Sequence, residues 1–315
     1  MRVISNLRLL RIKRQPVVLA AGFFDGLHRG HQRVINKTVA EARRLGGEAW
    51  VLTFDQHPMR ILRQDSAPPL LTSNRHKLRL FEEMQVDGCL LMPFTRRLAG
   101  MSPEAFMKML AAAIPTLARI YVGENWRFGH KEKGDTGMLK MLAGEHSIGV
   151  TVVRPVLKGG RIVSSTRIRE EVACGNLVEA RGMLGRKFSI LGVVAKGRAV
   201  GRQLGFPTAN LETFNEVLPP LGVYAVNVAV GDRIVKGVAN IGVRPTFACP
   251  GNSGNRKVTI EVHLIRFGNN LYGREIEVFF VKKLRNEKRF VSAEELKRQI
   301  EKDVKNAGKV LKRLR

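Results

Sequence analysis

Up to about residue 184, apolar positions along the chain follow two patterns, short unbroken runs and a helical repeat. Runs of five to seven mainly apolar residues predict strands that are buried on both faces of a sheet. They lie at residues 17–21, 49–54, 88–94, 119–123 and 150–156. Between these runs, apolar residues recur every three or four positions, as on one face of a helix. Strands that alternate with helices predict an α/β fold with a doubly wound, Rossmann-like parallel sheet.

Beyond residue 184, the apolar positions follow the two-residue period of half-buried strands. The alternating stretches lie at residues 188–195, 222–230, 233–240, 258–267 and 275–282. Gly231 and Asp232 stand between two of them and predict a two-residue hairpin turn. Consecutive strands with short turns indicate a small antiparallel β-barrel, and a helix capped at Ser292 follows it. We therefore predict two domains, residues 1–184 and residues 185–315.

Composition is that of an ordinary globular protein. The 315 residues suffice for two cores, 44% of them are hydrophobic, and no apolar run is long enough to cross a bilayer. The three cysteines lie far apart, which argues against a zinc site or a disulfide framework and favours a reducing cytoplasm. The first fifteen residues are rich in arginine and lack acids, as transit peptides do. Because a strand is predicted at residue 17, we interpret them as a short ordered prefix.

Charge is the unusual property of this sequence. The chain has 54 Lys and Arg residues against 27 Asp and Glu residues, a net charge of +27. Such an excess attracts nucleic acids, anionic lipids or phosphorylated substrates. Residues 282–315 include 13 basic and five acidic residues, which we interpret as the solvated face of a helix. Because no RNA-binding run, zinc finger or basic zipper accompanies the charge, we expect no specific nucleic acid partner.

The stretch GFFDGLHRGH, residues 22–31, joins the first predicted strand to the first predicted helix. A strand-to-helix turn exposes unpaired backbone N–H groups and the positive end of the helix dipole, so it suits a phosphate. His28 and His31 are three residues apart and can face one anion together. The three glycines of the stretch let a ligand approach the backbone. The predicted site lies at the carboxyl end of a strand, where ligands of parallel sheets bind.

Two further stretches of the first half have features of a triphosphate site. VGENWRFG, residues 122–129, leaves a predicted strand and enters a loop. SSTRIR, residues 164–169, opens a predicted helix with hydroxyl groups next to two arginines. Hydroxyls at a helix start together with guanidinium groups suit phosphates, although such a run is also an ordinary helix cap.

The HxGH run resembles the HxGH nucleotidyltransferase superfamily. Together with FDQHP (residues 54–58), VGENWRFG and SSTRIR, it resembles the FAD synthetase half of the bacterial bifunctional riboflavin kinase/FAD synthetases. The resemblance implies catalytic roles for His28 and His31. It implies nucleotide binding by Gly22, Phe24, Asp25, Gly30, Asn125, Ser164, Ser165, Thr166, Arg167 and Arg169. Two positions depart from the family pattern, Phe23 where Asn is frequent and Gln56 where Pro is frequent, so the role of the FDQHP loop stays open.

The second half contains two unusual stretches. KGRAVGRQLGFPTANL, residues 196–211, is rich in glycine and arginine and lacks the Walker pattern, so by itself it is a long basic hairpin loop. Thr208 and Asn210 at its end carry oxygen ligands of the kind that suits magnesium. Glu261 stands among apolar strand residues, with His263 on the same strand face two residues further on. Its carboxylate is either directed to solvent or placed for proton transfer.

These stretches and LRNEKRF, residues 284–290, resemble the riboflavin kinase module of the same family. The resemblance implies that Glu261 is a general base, that Thr208 and Asn210 hold Mg²⁺, and that Arg285 contacts the flavin. It implies nucleotide binding by Gly197, Arg198, Gly201, Arg202, Gly205 and Pro207.

The resemblance covers nearly the whole chain and implies two successive reactions in a bacterial cytoplasm. ATP phosphorylates riboflavin to FMN, and a second ATP adenylylates FMN to FAD with release of pyrophosphate. Two alternatives stay open on the residues alone, another HxGH adenylyltransferase fused to an unrelated barrel and a basic nucleic-acid-binding protein. The sequence leaves open the oligomeric state, the relative rates of the two activities and the reversibility of adenylyl transfer.

Overall fold

A computed structural model of the chain describes residues 1–7, 15–62, 67–196, 201, 204–243 and 258–312. By its internal contacts the chain divides into two compact units, Met1–Ser165 and Thr166–Arg315. This division differs from the sequence-based boundary by the two helices between residues 165 and 184. The boundary at residues 184 and 185 stays a prediction, which fragments of the chain can test.

The first unit has the predicted α/β architecture. Its strands are β1 (Arg2–Ile4), β2 (Val17–Ala21), β3 (Glu48–Phe54), β4 (Gly88–Met92), β5 (Leu117–Gly123), β6 (Gly149–Val153), β7 (Leu157–Lys158) and β8 (Arg161–Ile162). Its helices are α1 (Arg29–Arg44), α2 (Pro58–Leu62), α3 (Asn74–Glu83), α4 (Arg96–Ala99), α5 (Pro103–Ala113) and α6 (Thr136–Gly144). The five predicted strands are present. The sequence did not reveal β1, β7 and β8, which are too short for a periodic pattern.

The sheet of the first unit is parallel, with strand order β1-β4-β3-β2-β5-β6. The chain winds from β2 outward to β3 and β4, and then returns to place β5 on the other side of β2. Such a reversal leaves a crevice outside the carboxyl ends of the two strands, where ligands of open α/β sheets bind. The HxGH stretch follows β2 and Asn125 follows β5, so two of the predicted motifs leave the sheet at this crevice.

Alternate residues of β2 enter different cores on the two faces of the sheet. Val17 and Leu19 pack with Trp50 in one apolar cluster, whereas Val18 and Ala20 belong to the other. All five residues of β2 are buried. A central strand that is covered on both faces explains why its sequence is an unbroken apolar run.

The second unit is a closed antiparallel barrel, as predicted, and its strand order is β10-β13-β12-β11-β14-β9. Its strands are β9 (Ser189–Ala195), β10 (Thr208–Thr213), β11 (Gly222–Val230), β12 (Arg233–Val243), β13 (Val258–Leu264) and β14 (Glu275–Arg285). Its helices are α7 (Ser165–Ala173), which begins at the last residue of the first unit, α8 (Leu177–Leu184) and the C-terminal α9 (Ala293–Lys312). Helix α9 packs on the barrel through Ala307 and Leu311. Among the described helices of both units, none combines the length and the apolar character that crossing a membrane requires.

Candidate active sites

His28 caps helix α1 with its own ring. Its Nδ1 atom accepts hydrogen bonds from the backbone N–H groups of Gly30, at 3.1 Å, and of His31, at 3.3 Å. The backbone of His28 is extended, as an N-cap residue requires. Because Nδ1 is the acceptor, the neutral ring carries its proton on Nε2, and that N–H group can donate to an anion. The helix cap therefore selects the tautomer of the first histidine.

His31 stacks on His28 in the first turn of the helix. The two ring centroids are 3.6 Å apart with an angle of 19° between the planes, and Phe24 meets His31 edge-on at 5.3 Å. Gly30 leaves room for this stack, because a Cβ atom there would lie 3.0 Å from Cε1 of His28. A Cβ atom at Gly22 would lie 2.9 Å from the ring of Phe24. Both glycines therefore leave space for the rings of Phe24 and His28 in this arrangement.

Asp25 supports the same loop from inside the protein. It is 2% exposed, and its carboxylate accepts hydrogen bonds from the N–H groups of Leu71 and Thr72. The hydroxyl of Thr72 accepts a hydrogen bond from the N–H group of Gly26 at 3.0 Å. The hydroxyl of Ser165 donates to the carbonyl oxygen of Asp25 at 2.9 Å. These contacts make Asp25 and Ser165 supports of the loop, and a direct contact of either residue with a nucleotide stays a prediction.

The cavity beside the two histidines, named here the nucleotide cavity, has a volume of about 280 Å³. Residues after β2, after β5 and before α7 line it together. The predicted residues among them are Gly22, Phe24, His28, Gly30, His31, Asn125 and Ser164. The tertiary structure thus gathers in one crevice groups that are far apart in sequence. Histidine N–H groups, an amide and a hydroxyl are suitable partners for phosphate oxygens.

Thr166, Arg167 and Arg169 complete the set that the family resemblance implies for this site. All three lie on α7, which begins at Ser165. By its contacts this part of the helix belongs to the second unit. Their role in nucleotide binding stays a prediction.

A larger cavity of about 740 Å³ in the first unit, named here the aromatic cavity, was not predicted from the sequence. Trp126 lines both this cavity and the nucleotide cavity. The walls include Phe54, Phe94, Phe106 and Phe128, and Trp126 stacks on Phe128 with ring centroids 4.7 Å apart. The FDQHP and VGENWRFG stretches supply part of the wall. The other residues come from separate helices and loops, so no local pattern signals the cavity.

The two positions that depart from the family pattern anchor the FDQHP loop. Phe23 meets the ring of His57 edge-on, with centroids 4.8 Å apart. Gln56 donates a hydrogen bond from Nε2 to the carbonyl oxygen of Phe94 at 3.2 Å. The Nδ1 atom of His57 accepts a hydrogen bond from the N–H group of Met59 at 3.2 Å. Neither substitution leaves a gap in this loop, because each side chain has a partner.

In the barrel, Glu261 lies between two asparagines on neighbouring strands. The register places it opposite Asn210 of β10 and opposite Asn240 of β12. Ile260 and Val262 are buried, so the three polar side chains leave the sheet on the face opposite the barrel core. Asn240 was not among the residues predicted from the sequence. The available signal was a polar residue within a largely apolar strand. Only the strand pairing relates Asn240 to Glu261.

His263 and Gly201 hold the PTAN segment against β13. His263 lies opposite Thr208 in the strand register, and its Nδ1 atom is 2.9 Å from the carbonyl oxygen of Pro207. Because a carbonyl oxygen only accepts, Nδ1 of His263 carries the proton in this contact. A Cβ atom at Gly201 would lie 2.4 Å from the carbonyl oxygen of Phe206, so only glycine allows these two residues to approach so closely.

A cavity of about 390 Å³ in the second unit, named here the barrel cavity, is lined by Pro207 and Thr208. Phe267 and Tyr272 from the segment between β13 and β14 form another part of its wall. Gly205, at the predicted loop, has a φ of +86°, which only glycine adopts readily. The predicted residues Gly197, Arg198 and Arg202 lie outside the described residues.

Arg285 forms an ion pair with Asp303 of α9 through two of its nitrogens. Its Nε atom donates to Oδ2 at 2.9 Å, and Nη2 lies 2.9 Å from the same oxygen. Nη1 donates to the carbonyl oxygen of Asn286 at 3.0 Å, and the guanidinium lies over the ring of Phe290 at 5.6 Å. Arg285 therefore joins the end of β14 to the C-terminal helix. The flavin contact implied for it stays a prediction.

Thr208, Asn210 and Glu261 offer three oxygen-bearing side chains on one face of the barrel. Within the described ranges, no group of three or more His, Cys, Asp and Glu residues is placed to hold a metal ion. A site for Mg²⁺ does not need such a group, because this ion keeps several waters and binds through one or two protein oxygens and substrate phosphates. The donor set therefore fits Mg²⁺ and does not fit zinc.

Two family models match the chain in succession. The model described as FAD synthetase matches residues 11–167, and the model described as riboflavin kinase matches residues 184–311. The two matches correspond to the α/β unit and to the barrel unit.

Similar proteins carry both descriptions in one chain. Proteins named bifunctional riboflavin kinase/FMN adenylyltransferase are similar over nearly the whole sequence. The Escherichia coli K12 protein is 39% identical over 94% of this chain and 93% of its own length. The Pseudomonas fluorescens protein is 36% identical over 96% of both chains, and the Haemophilus influenzae protein 35% identical over 98% of both.

Among solved structures, one example is similar over nearly the whole chain. It is the crystal structure of a protein named as a macrolide-efflux protein, from Streptococcus pneumoniae. Its TM-score is 0.80 at 27% identity, with 96% of this chain and 97% of that chain covered. The likeness supports the fold, and the name of that protein is not carried over to this chain.

Proposed function

The chain belongs to the family of bifunctional riboflavin kinase/FMN adenylyltransferases, and we propose from this premise which residues carry each reaction. It is a transferase of flavin metabolism with two activities. The barrel unit uses ATP to phosphorylate riboflavin to FMN. The α/β unit transfers the adenylyl group of ATP to FMN, which gives FAD and pyrophosphate.

Adenylyl transfer would occur in the nucleotide cavity. The phosphate of FMN attacks the α-phosphorus of ATP, the bond to the β-phosphate breaks, and pyrophosphate leaves. The observation that carries this assignment is the cap on α1, which leaves Nε2–H of His28 as a donor toward that cavity. His28 and His31 would stabilise charge that builds up on the phosphate oxygens. Asn125 and Ser164 would place the substrate, and Thr166, Arg167 and Arg169 would bind the leaving pyrophosphate.

The flavin ring of FMN would bind in the aromatic cavity. A fused three-ring system is flat and largely apolar, and aromatic walls such as Trp126 and Phe128 offer it faces for stacking. Because Trp126 lines both cavities, the phosphate end of FMN would point from one cavity into the other. This arrangement would bring the two reacting groups together.

Phosphorylation of riboflavin would occur on the polar face of the barrel. Glu261 would take the proton of the terminal ribityl hydroxyl as that oxygen attacks the γ-phosphorus of ATP and ADP leaves. Support comes from the strand pairing of Glu261 with Asn210, because Asn210 is one of the two proposed Mg²⁺ ligands. The barrel cavity would hold the base of the nucleotide, with Gly197, Arg198, Gly201, Arg202, Gly205 and Pro207 around the phosphates.

Thr208 and Asn210 would hold Mg²⁺, with His263 keeping their segment in place through Pro207. The ion would neutralise phosphate charge, as in other phosphoryl transfers. We propose that Arg285 contributes to flavin binding by fixing the segment before α9 as well as by any direct contact. Asp25 would act by supporting the HxGH loop.

The expected partners are small molecules, namely riboflavin, FMN and ATP, in a bacterial cytoplasm. The net charge of +27 would serve capture of nucleotides, and no specific nucleic acid is expected. On this basis polyanions inhibit weakly, and less as salt rises. Selective binding of one nucleic acid sequence at physiological salt would contradict this assignment.

Product chromatography after incubation with riboflavin and MgATP tests the proposed function. We expect FMN first and FAD later, and FAD alone when FMN replaces riboflavin. Adenylylation of a pantetheine or nicotinate nucleotide in place of FMN would indicate a different HxGH enzyme. Absence of both flavin products from folded protein would refute the assignment.

A further inference from the structure

Lys77 is a buried lysine between the ends of two central strands, and its role is separate from the HxGH residues. We propose that Lys77 is a positioning residue for adenylyl transfer. Its side chain joins the end of β2 to the end of β3, and it so fixes the position of the nucleotide cavity relative to the aromatic cavity. The inference rests on the proposed function only where it assigns one substrate to each cavity.

The ammonium of Lys77 binds backbone groups of both strand ends. Its Nζ atom donates to the carbonyl oxygen of Phe23 at 3.2 Å and to that of Phe54 at 3.3 Å. Phe23 lines the nucleotide cavity, and Phe54 lines the aromatic cavity. Lys77 itself is 2% exposed on α3. One side chain therefore contacts the backbone at the border of each cavity.

The ring of Phe23 extends this contact to the FDQHP loop. Nζ of Lys77 lies 4.4 Å from the centroid of that ring, within the range of a cation–π interaction. The ring of Phe23 meets His57 edge-on at 4.8 Å. An ammonium has three N–H donors, of which two reach carbonyl oxygens while the ring covers another side. Phe23, which departs from the family pattern, is thus the link between Lys77 and His57.

The molecule retains this charge at a cost. Burial lowers the pKa of Lys77 to about 8, and the negative charges of Asp25 and Asp55 oppose that shift. Asp25 supports the HxGH loop, and Asp55 accepts a hydrogen bond from the N–H group of Phe94 at 3.0 Å in the FDQHP loop. A methionine of similar length would fill the same space without the cost of burying a charge. A lysine at this position is explained if its hydrogen bonds fix the HxGH loop and the FDQHP loop in place.

Such a residue affects the reaction through the relative positions of the two reacting groups. Reacting groups must approach in near-attack geometry, and a displacement of 1 Å can cost about 100-fold in rate. Each substrate has its own cavity, so binding of ATP alone or of FMN alone depends little on the position of one cavity relative to the other. Loss of Lys77 should therefore lower kcat of adenylyl transfer and change the two KM values little.

The test compares Lys77→Met with wild type in the full chain. We expect kcat for FAD formation from FMN to fall by about 10- to 100-fold, with the KM values for ATP and FMN within about threefold of wild type. Lys140→Met is the matched control, because Lys140 is exposed on α6 of the same unit. Riboflavin phosphorylation by the same samples is a second control. Normal kcat in Lys77→Met, or a rise confined to KM, would overturn the inference.

Phe23→Leu keeps the test decisive if Lys77→Met fails to fold in the first unit. It leaves the carbonyl oxygen of residue 23 in place and removes only the ring, so we expect a smaller fall in kcat, about threefold to tenfold. Where Lys77→Met folds, the two effects should not multiply in the double variant, because both act through one contact. Multiplicative effects, or no effect of Phe23→Leu, would contradict the link through Phe23. A wild-type protein that forms no FAD would instead refute the proposed function.

Discussion

Asn210 on β10 lies directly opposite Glu261 on β13, and both side chains leave the barrel on the face away from its core. The residue proposed to hold Mg²⁺ and the residue proposed to take a proton are therefore neighbours across two strands. Directly paired residues on one face of a sheet have Cβ atoms about 5 Å apart. This distance suits a general base and a Mg²⁺ ligand that act on one substrate.

Glu261→Gln should separate the two activities. The amide keeps the size of the side chain and one oxygen acceptor, but it cannot take up the proton of the ribityl hydroxyl. We expect FMN formation to fall by about 100-fold or more, while FAD formation from added FMN continues. Glu212→Gln on β10 is the control, because Glu212 is exposed. FMN production within a few-fold of wild type would make Glu261 an ordinary strand residue.

His28→Asn should abolish adenylyl transfer without disturbing the helix. Asparagine is a good N-cap residue and can accept the hydrogen bonds that Nδ1 of His28 now accepts. It cannot supply the imidazole donor, so we expect FAD formation to fall by about 100- to 1000-fold. The double variant His28→Ala with His31→Ala should also lose FAD formation, with FMN formation near normal. Loss of both activities from folded protein would contradict the division between the two units.

Two fragments should locate the domain boundary. The barrel closes on itself, so a fragment that starts near Arg186 should fold and phosphorylate riboflavin. A fragment that starts at Thr166 adds α8, whose Met183 and Leu184 are buried, and should be the more stable of the two in urea. Riboflavin kinase activity and the midpoint of urea unfolding are measured for both fragments. An inactive or unfolded shorter fragment beside an active longer one would move the boundary toward residue 166.

Asp303→Asn should destabilise the barrel unit. The side chain of Asp303 is 5% exposed and contacts two nitrogens of Arg285, so the change removes a charge-assisted ion pair. We expect the free energy of unfolding to fall by about 1.5 to 3 kcal/mol. Glu301→Gln on the exposed side of the same helix should change it by less than about 0.5 kcal/mol. Equal effects of the two variants in urea unfolding would mean that the ion pair contributes nothing specific.

Lys77 should make the stability of the first unit depend on pH. The pKa of Lys77 is lowered from 10.5 to about 8 by burial, so between these values the unfolded chain binds more protons than the folded one. Stability therefore rises with pH across this window, by roughly 3 kcal/mol from this group in full. Below pH 8 both states are protonated and the cost of burial is complete.

Tryptophan fluorescence in urea measures this dependence, because Trp50 and Trp126, the two tryptophans of the chain, both lie in the first unit. The buried Cys89 thiol, whose pKa is raised to about 12, acts in the opposite direction above pH 9. The Cys89 thiol is present in Lys77→Met as well, so the difference in unfolding free energy between wild type and variant isolates the contribution of the lysine. A difference that stays constant from pH 8 to pH 10 would show that Lys77 does not titrate there.

Much of the fold could be predicted from local pattern. Strand β2 is an unbroken apolar run because both of its faces are buried, and the turn after β11 is encoded by Gly231, whose φ is +56°. Strand β10 was not predicted, because Thr208–Thr213 contains only two apolar residues, Ala209 and Leu211, and follows directly on a glycine-rich loop. Its partners β9 and β13 make it a strand.

The sequence by itself determined the motifs, their chemistry and the order of the two units, since these depend on residues that are neighbours along the chain. Only the tertiary structure decided which side chains meet. It turned Asp25 and Ser165 toward the protein backbone, joined Arg285 to Asp303, and paired Glu261 with Asn210 and Asn240. It also formed the aromatic cavity and placed Lys77 between Phe23 and Phe54. Contacts of this kind depend on strand order and register, which no local spacing encodes.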